Sequence, residues 1–171
     1  FKGLTYTDIS NQGVQARRIK LDEIYNQKLH KYVPLYINPK NAMLFALQKR
    51  YQNRLCLIEV SLNVLINRYI FTDGNAAKNI TNFYSDLETE HENIPWNDVF
   101  SERWVEGNTK YVSIMSHMQS ELLIDQKIAS KFIEKIHCNS QETVDFVENG
   151  LKPHNDYIKA VNIEINSNAF F

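Results

Sequence analysis

The stretch YVPLYINPKNAMLFAL, residues 32–47, decides how this chain is read. Its first half, Tyr32 to Asn38, is apolar, aromatic and β-branched, and reads as a strand. Proline cannot donate to a ladder, so Pro34 belongs at the start of that strand or on a sheet edge. Asn38-Pro39 then reads as a helix opening, with Asn38 as N-cap and Pro39 in the first helical position. Met43, Leu44 and Leu47 supply the apolar face of this helix, which is expected to stop near Tyr51.

Outward from there, more strands than helices are expected. LCLIEV (55–60) reads as a buried strand, SLNVLIN (61–67) as a helical turn, and RYIFT (68–72) as another strand or an extended stretch. Asp73-Gly74 signals a turn. Ile80, Phe83, Tyr84 and Leu87 then recur at helical spacing and predict a helix from about Ala76. A short helix over 97–104 carries Trp104. KYVSIMS (110–116) reads as a strand or ordered loop edge, and ELLID (121–125) as a short strand. A turn over 126–132 leads to a strand at FIEKIHC (132–138), and Ser140 caps a helix over 141–149. VNIEIN (161–166) alternates as a half-buried strand does, and one short helix is expected around 13–27. The pattern lacks strict strand–helix alternation, so the expected class is α+β, with a central, mixed or mostly antiparallel sheet and flanking helices. At 171 residues, one domain over 1–171 is expected.

Composition narrows the chemistry. Hydrophobic content of 43% and charged content of 23% suit an ordinary folded domain, and no apolar run approaches a membrane span. No secretory signal opens the chain, which begins at Phe1. The net charge is −1, but it is unevenly spread: residues 1–60 hold ten Lys and Arg against four Asp and Glu, and residues 61–171 hold nine against sixteen. A basic amino-terminal third suits an anionic partner such as a nucleic acid or dinucleotide, or is simply a solvated face. Cys56 and Cys138 lie in apolar runs and read as buried, reduced side chains. Without a CxxC pair or an HExxH helix, no metal is expected. There is no GxGxxG, no P-loop and no GxSxG, which removes most dehydrogenase, kinase and serine-hydrolase readings.

Four strings remain: VQARRIKL (14–21), LHKYVPLYINPKNAMLFAL (29–47), FTDGNAA (71–77) and HMQSELLI (117–124). In this order they resemble the DarT family of bacterial toxins, which transfer ADP-ribose from NAD onto a base of single-stranded DNA. YTDISNQGVQARR (6–18) is similar to the family's tyrosine-to-double-arginine segment. YVPLYINPKNAMLFAL is similar to its Tyr-Val-Pro-Phe-Tyr-Phe-x-Pro-Arg-x-Pro-Met-Leu-Tyr-Ala. MQSELLI is similar to its Gln-Ala-Glu-Phe-Leu-Val, and VNIEINSNAFF (161–171) to its closing strand.

The resemblance implies an ADP-ribosyltransferase fold with NAD as co-substrate. It implies roles by position: Glu121 as the catalytic glutamate, Arg18 as a catalytic and NAD-site arginine, and Tyr36 and Met43 beside the cofactor. Arg17, Lys40, His117 and Met118 would meet DNA, and Tyr111 to Gln119 would form the loop presenting the target base. Single-stranded DNA and a cognate antitoxin are the implied partners, with thymine or guanine as the target, in the bacterial cytoplasm. Two departures stand out. The family's Tyr-His-x-Thr-His strand, which helps hold NAD, has no counterpart here, so a domain without its first strand is expected. The family's Pro-Arg is Pro39-Lys40, which keeps the charge and loses the planar guanidinium. Rival expectations are transfer to RNA or protein or hydrolysis of NAD, and an inactive or truncated copy that only binds nucleic acid or a partner.

The chemistry suits these residue types. Breaking the ribose–nicotinamide bond develops an oxocarbenium-like cation, which a carboxylate such as Glu121 stabilises. With no glycine-rich loop for the pyrophosphate, an arginine must supply the donors, and Arg18 is the candidate. As a strand-end carboxylate, Glu121 is expected to bury little, so Glu121→Ala should leave the fold intact. Outside the family context, Trp96 and Trp104 read as core or interface anchors, and Asp73 and Asn75 as turn and cap residues.

Overall fold

A computed structural model describes residues 12–51, 54–86, 88, 92–102, 109–154 and 161–171. Strands β1 (Tyr32–Tyr36), β3 (Tyr69–Thr72), β4 (Phe83–Tyr84) and β5 (Glu121–Asp125) form a sheet in the order β1-β5-β3-β4, antiparallel throughout. Strands β2 (Cys56–Val60), β6 (Ile133–Cys138) and β7 (Asn162–Ile165) form a second sheet in the order β2-β6-β7, with β2 antiparallel and β7 parallel to β6. The helices are α1 (Gln12–Arg17), α2 (Ala42–Tyr51), α3 (Trp96–Val99), α4 (Thr109–His117) and α5 (Gln141–Leu151). The α+β class stands as read, but the strands divide between two sheets.

β5 explains the first sheet. It lies between β1 and β3, and four of its five residues are buried, so both of its faces are covered. Glu121 and Leu123 share one face with Tyr32, Ile70 and Phe83, where Leu29 and Ala76 complete a core cluster. Leu122 and Ile124 point the other way, with Phe71, into a larger cluster with Val64, Ile94 and Val99. Trp96 packs against that second cluster, in line with its reading as a core anchor; Trp104 lies outside the described residues. β1 sits on the edge, which accommodates Pro34. Ile37 N donates to Ser120 O, so the ladder bonds fall at 37, 35 and 33, and the nitrogen of Pro34 faces away from β5.

Several local expectations are corrected. The helix after β1 starts at Ala42, not at Pro39, because Asn41 caps it: its Oδ1 accepts from Met43 N at 2.9 Å and Leu44 N at 3.2 Å. Asn38 instead forms a tight turn, accepting from Lys40 N at 2.9 Å and donating Nδ2 to Val99 O at 2.7 Å. The helix expected from about Ala76 does not form over residues 76–84. Asp73 accepts from Asn82 N and Nδ2, Asn75 Oδ1 from Ala77 N, and Thr81 Oγ1 donates to Asn75 O. These bonds fold 73–82 into a loop, which places Phe83 in a strand and leaves Ile80 exposed.

KYVSIMS is helical, within α4, where Met118 N returns to Ile114 O at 2.9 Å. Its Tyr, Val and Ile raise strand propensity, and tertiary context overrides it. The helix read around 13–27 ends at Arg17. Beyond it, buried Asp22 accepts from the backbone of Ile24, Tyr25 and Gln27 and from Tyr32 Oη, closing a loop instead of a helix. β2 is an edge strand and mostly exposed rather than buried. Cys56 is accordingly exposed, directly opposite buried Cys138, and both are free thiols.

Candidate active site

Glu121 opens β5 on the face that the amino-terminal segment covers. Arg18 Nη1 donates to Glu121 Oε2 at 3.1 Å, and Ala76 N donates to Oε1 at 3.2 Å. The glutamate is 1% exposed and the arginine 8%. This corrects the expectation of a lightly buried strand-end charge: the 73–82 loop and the segment after α1 both close over it. The backbone of Glu121 is fixed too, since its N–H donates to Thr72 Oγ1 at 3.0 Å and that hydroxyl donates to Gly74 O at 2.6 Å.

The remote arginine is delivered by the Asp22 loop. Tyr32 Oη on β1 bonds Asp22 Oδ2 at 2.9 Å, and Leu29 N returns to Lys20 O at 3.0 Å, which fastens the segment carrying Arg18 to the sheet. Tyr36 lies directly across from Glu121 in the register, in a pair without ladder bonds, where side chains approach most closely. Burial, reinforced by the Glu121 charge, pushes the Tyr36 hydroxyl up to about 12. Burial also raises the carboxyl of Glu121 above its ordinary value, against the pull of Arg18 and the Ala76 N–H.

Arg18 Nη2 is buried and has no hydrogen-bond partner among the described residues. An orphaned guanidinium nitrogen beside a buried carboxylate is a donor waiting for an acceptor, as a phosphate or ribose oxygen would be. The donor set therefore fits a dinucleotide. No group of three or more metal-ligating side chains occurs among the described residues.

The other expected residues scatter around this pair. Arg17 is exposed at the end of α1, beside Ala77 and Lys78. Lys40 stands in the Asn38 turn after β1. Met43 is half-buried in the first turn of α2. His117 ends α4, with Nδ1 2.8 Å from Asp98 Oδ2 of α3. Met118, expected at the DNA, is 2% exposed and packs inward, so its side chain supports the site instead of offering a surface. The stretch expected as a target loop, Tyr111 to Gln119, is mostly α4. Asp22, Thr72, Gly74 and Asp98 were not singled out for the site; only the Asp73-Gly74 turn signal hinted at the loop that caps Glu121.

The family described as "ssDNA thymidine ADP-ribosyltransferase, DarT" matches residues 2–171. The chain belongs to the DarT family. Among solved structures, DarT of Thermus sp. 2.9 in complex with ADP-ribosylated ssDNA aligns with a TM-score of 0.83 at 20% identity, covering 96% of this chain and 81% of that one. The same protein in complex with NAD+ aligns with a TM-score of 0.77 at 21% identity, covering 91% and 80%. These likenesses establish a DarT fold. A DNA ADP-ribosyl transferase of Escherichia coli O127:H6 is 31% identical over 124 residues, 67% of this chain and 56% of its own length. A transferase–glycohydrolase fusion protein of Thermosipho africanus is 23% identical over 167 residues, 89% of this chain and 42% of its own length. The chain thus spans about half the length of these curated DarT relatives.

Proposed function

We propose that this chain transfers ADP-ribose from NAD+ onto a base of single-stranded DNA. The observation that carries the reading is the buried Arg18–Glu121 pair with its orphaned guanidinium nitrogen. NAD+ supplies the activated ribose–nicotinamide bond. Arg18 holds the phosphate or ribose oxygens with the nitrogen that Glu121 does not use. The Glu121 carboxylate faces the positive charge that develops at the ribose as nicotinamide leaves. In a site shielded from water that attraction is far stronger than in bulk. Tyr36, kept protonated, offers a hydroxyl beside both.

The family description and the DNA-bound Thermus relative support single-stranded DNA as acceptor, with thymine as the first base to test. A base must be unstacked before its ring can react, which favours single strands. Exposed Arg17 and Lys40 in the Asn38 turn would meet DNA phosphates. A DNA-modifying toxin requires a cognate antitoxin and a cytoplasmic site of action. The glycohydrolase half of the Thermosipho fusion supports the first.

The test is intact-mass analysis of single-stranded oligonucleotides incubated with labelled NAD+. One added ADP-ribose on thymine-containing strands, absent with Glu121→Gln, is the expected result. Labelling of RNA or protein in preference to DNA would replace the acceptor, and no labelling of any acceptor would end the reading.

A further inference from the structure

Two thiols stand side by side at one end of the second sheet. Cys56 opens β2, Cys138 closes β6, and the antiparallel register sets them directly opposite each other. Asn166 N, from the residue after β7, donates to Cys138 O at 2.9 Å. In an extended strand the N–H and C=O of one residue point to the same side, so those of Cys138 face β7 and not β2. The Cys56–Cys138 pair is therefore one without ladder bonds between its members. In such pairs the opposed Cα atoms come closest, at about 4.5 Å, with both side chains on one face. A disulfide needs Cα atoms roughly 4.4–6.8 Å apart.

The two sulfurs differ in access. Cys56 is exposed, on a strand that is an edge of its sheet among the described residues. Cys138 is 0% exposed, packed with Ile136 and with Val144 of α5. Burial, and then the neighbouring Cys56, raise the Cys138 thiol above its ordinary value. An oxidant in solution therefore meets Cys56 first.

We propose that Cys56 and Cys138 form a thiol–disulfide modification site, at which a small disulfide of the glutathione class enters on Cys56 and Cys138 resolves it into a bond across the sheet. This goes beyond the transferase reading and does not depend on it. The Cys56 thiolate attacks one sulfur of the small disulfide, whose sulfur–sulfur bond breaks as the mixed disulfide forms. The Cys138 thiolate then attacks the Cys56 sulfur and expels the second small thiolate. Two protein thiols are oxidised, one small disulfide is reduced to two thiols, and the two protons leave with them. The first step also removes the Cys56 charge that holds Cys138 protonated. The bond closes a loop from 56 to 138, which contains the 73–82 loop, α4 and Glu121. Arg18, Ala76 and Thr72, the groups that touch Glu121, all lie outside the second sheet. Oxidation should thus harden the fold and leave kcat unchanged.

The experiment incubates the native chain with oxidised glutathione and follows intact mass, peptide mapping and melting temperature for wild type, Cys56→Ser and Cys138→Ser. Wild type should lose two hydrogens, yield one cross-linked peptide pair within a single chain, and return to its starting mass with a dithiol reductant. Its melting temperature should rise by roughly 4–16 °C, as a disulfide across a long loop gives in a domain of this size. Cys138→Ser should stop at one glutathione on Cys56, and Cys56→Ser should stay unmodified while folded. Wild type that stops at one glutathione per chain, stays fully reduced, or links two chains overturns the proposal. A bond that forms but lowers the melting temperature shows that the sheet must distort to make it, and also overturns it. Glutathione on Cys138 in folded Cys56→Ser overturns the order of the two steps.

Discussion

Arg18 and Glu121 stand 103 residues apart in the chain and 3.1 Å apart in the fold, both buried. The segment after α1 and the first residue of β5 meet there, so the site and the closure of the amino-terminal segment are one event.

Replacing Glu121 with Ala is expected to damage the fold as well as the chemistry. It leaves the Arg18 guanidinium buried without its counter-charge, a change that typically costs about 3–5 kcal/mol. Glu121→Gln keeps the volume and an acceptor for Arg18, and should lose less stability. Urea denaturation of both variants checks this, and equal midpoints for Ala and wild type would contradict it.

Arg18→Lys keeps the charge opposite Glu121 and removes the second nitrogen. A hydrogen bond to a charged group contributes about 1.5–3 kcal/mol, which corresponds to a rise in Kd on the order of 10- to 100-fold. Calorimetric titration with NAD+ should show this weakening while the melting temperature moves only slightly.

The Glu121 carboxyl is raised above its ordinary value by burial. A raised folded-state pKa means that this group's contribution to stability is complete below the unfolded value and is lost as pH rises through the folded one. Activity runs the other way, because the ionised form opposes the developing cation. The acid limb of kcat should therefore lie above pH 4.5, the ordinary value, and Arg18→Met should move it further up by removing the charge that lowers it.

The Tyr36 hydroxyl, pushed up to about 12, should stay protonated through the working range. No limb of the rate profile between pH 8 and 10 should then disappear in Tyr36→Phe. If the hydroxyl bonds the dinucleotide, that variant should weaken NAD+ by about the 0.5–1.5 kcal/mol of one hydrogen bond, read as a shift in Kd.

Gly74 is packed closely against α4. A Cβ there would lie 3.3 Å from Ser116 O, Ser116 Oγ and Thr81 Oγ1, so Gly74→Ala must push the loop and helix apart by a few tenths of an ångström. Overpacking of this kind costs roughly 1–3 kcal/mol. Denaturation and kcat should fall together, because the same loop donates Ala76 N to Glu121.

The strands were largely legible in the sequence. β1, β3, β5, β6 and β7 all lie where apolar, β-branched runs placed them, because buried strands advertise themselves by composition. The helices were less so. Ile80, Phe83 and Tyr84 had helical spacing by coincidence, and the side-chain bonds of Asp73, Asn75 and Thr81 settled residues 73–82 as a loop, while Leu87 lies outside the described residues. α4 was hidden behind strand-forming residues. Within the site, Glu121 and Arg18 were found only through family resemblance, since nothing local to ELLID or to the double arginine reveals a contact across 103 positions. Asp22 and Asp98 were missed because a carboxylate that organises a loop or a histidine looks, in sequence, like any solvated charge.

Pro34 on β1 has a last consequence, for assembly. Among the described residues, β1 is one edge of the first sheet, next to the strand that carries Glu121, and an unpaired edge is where a foreign strand could add itself. The outward nitrogen at Pro34 has no hydrogen to give, so any incoming strand would lose a bond in the middle of its ladder. The flank of the sheet nearest the catalytic carboxylate is thus a poor template for intermolecular pairing. Protein partners gain more by approaching through side chains and the loops around the site than by extending the sheet there.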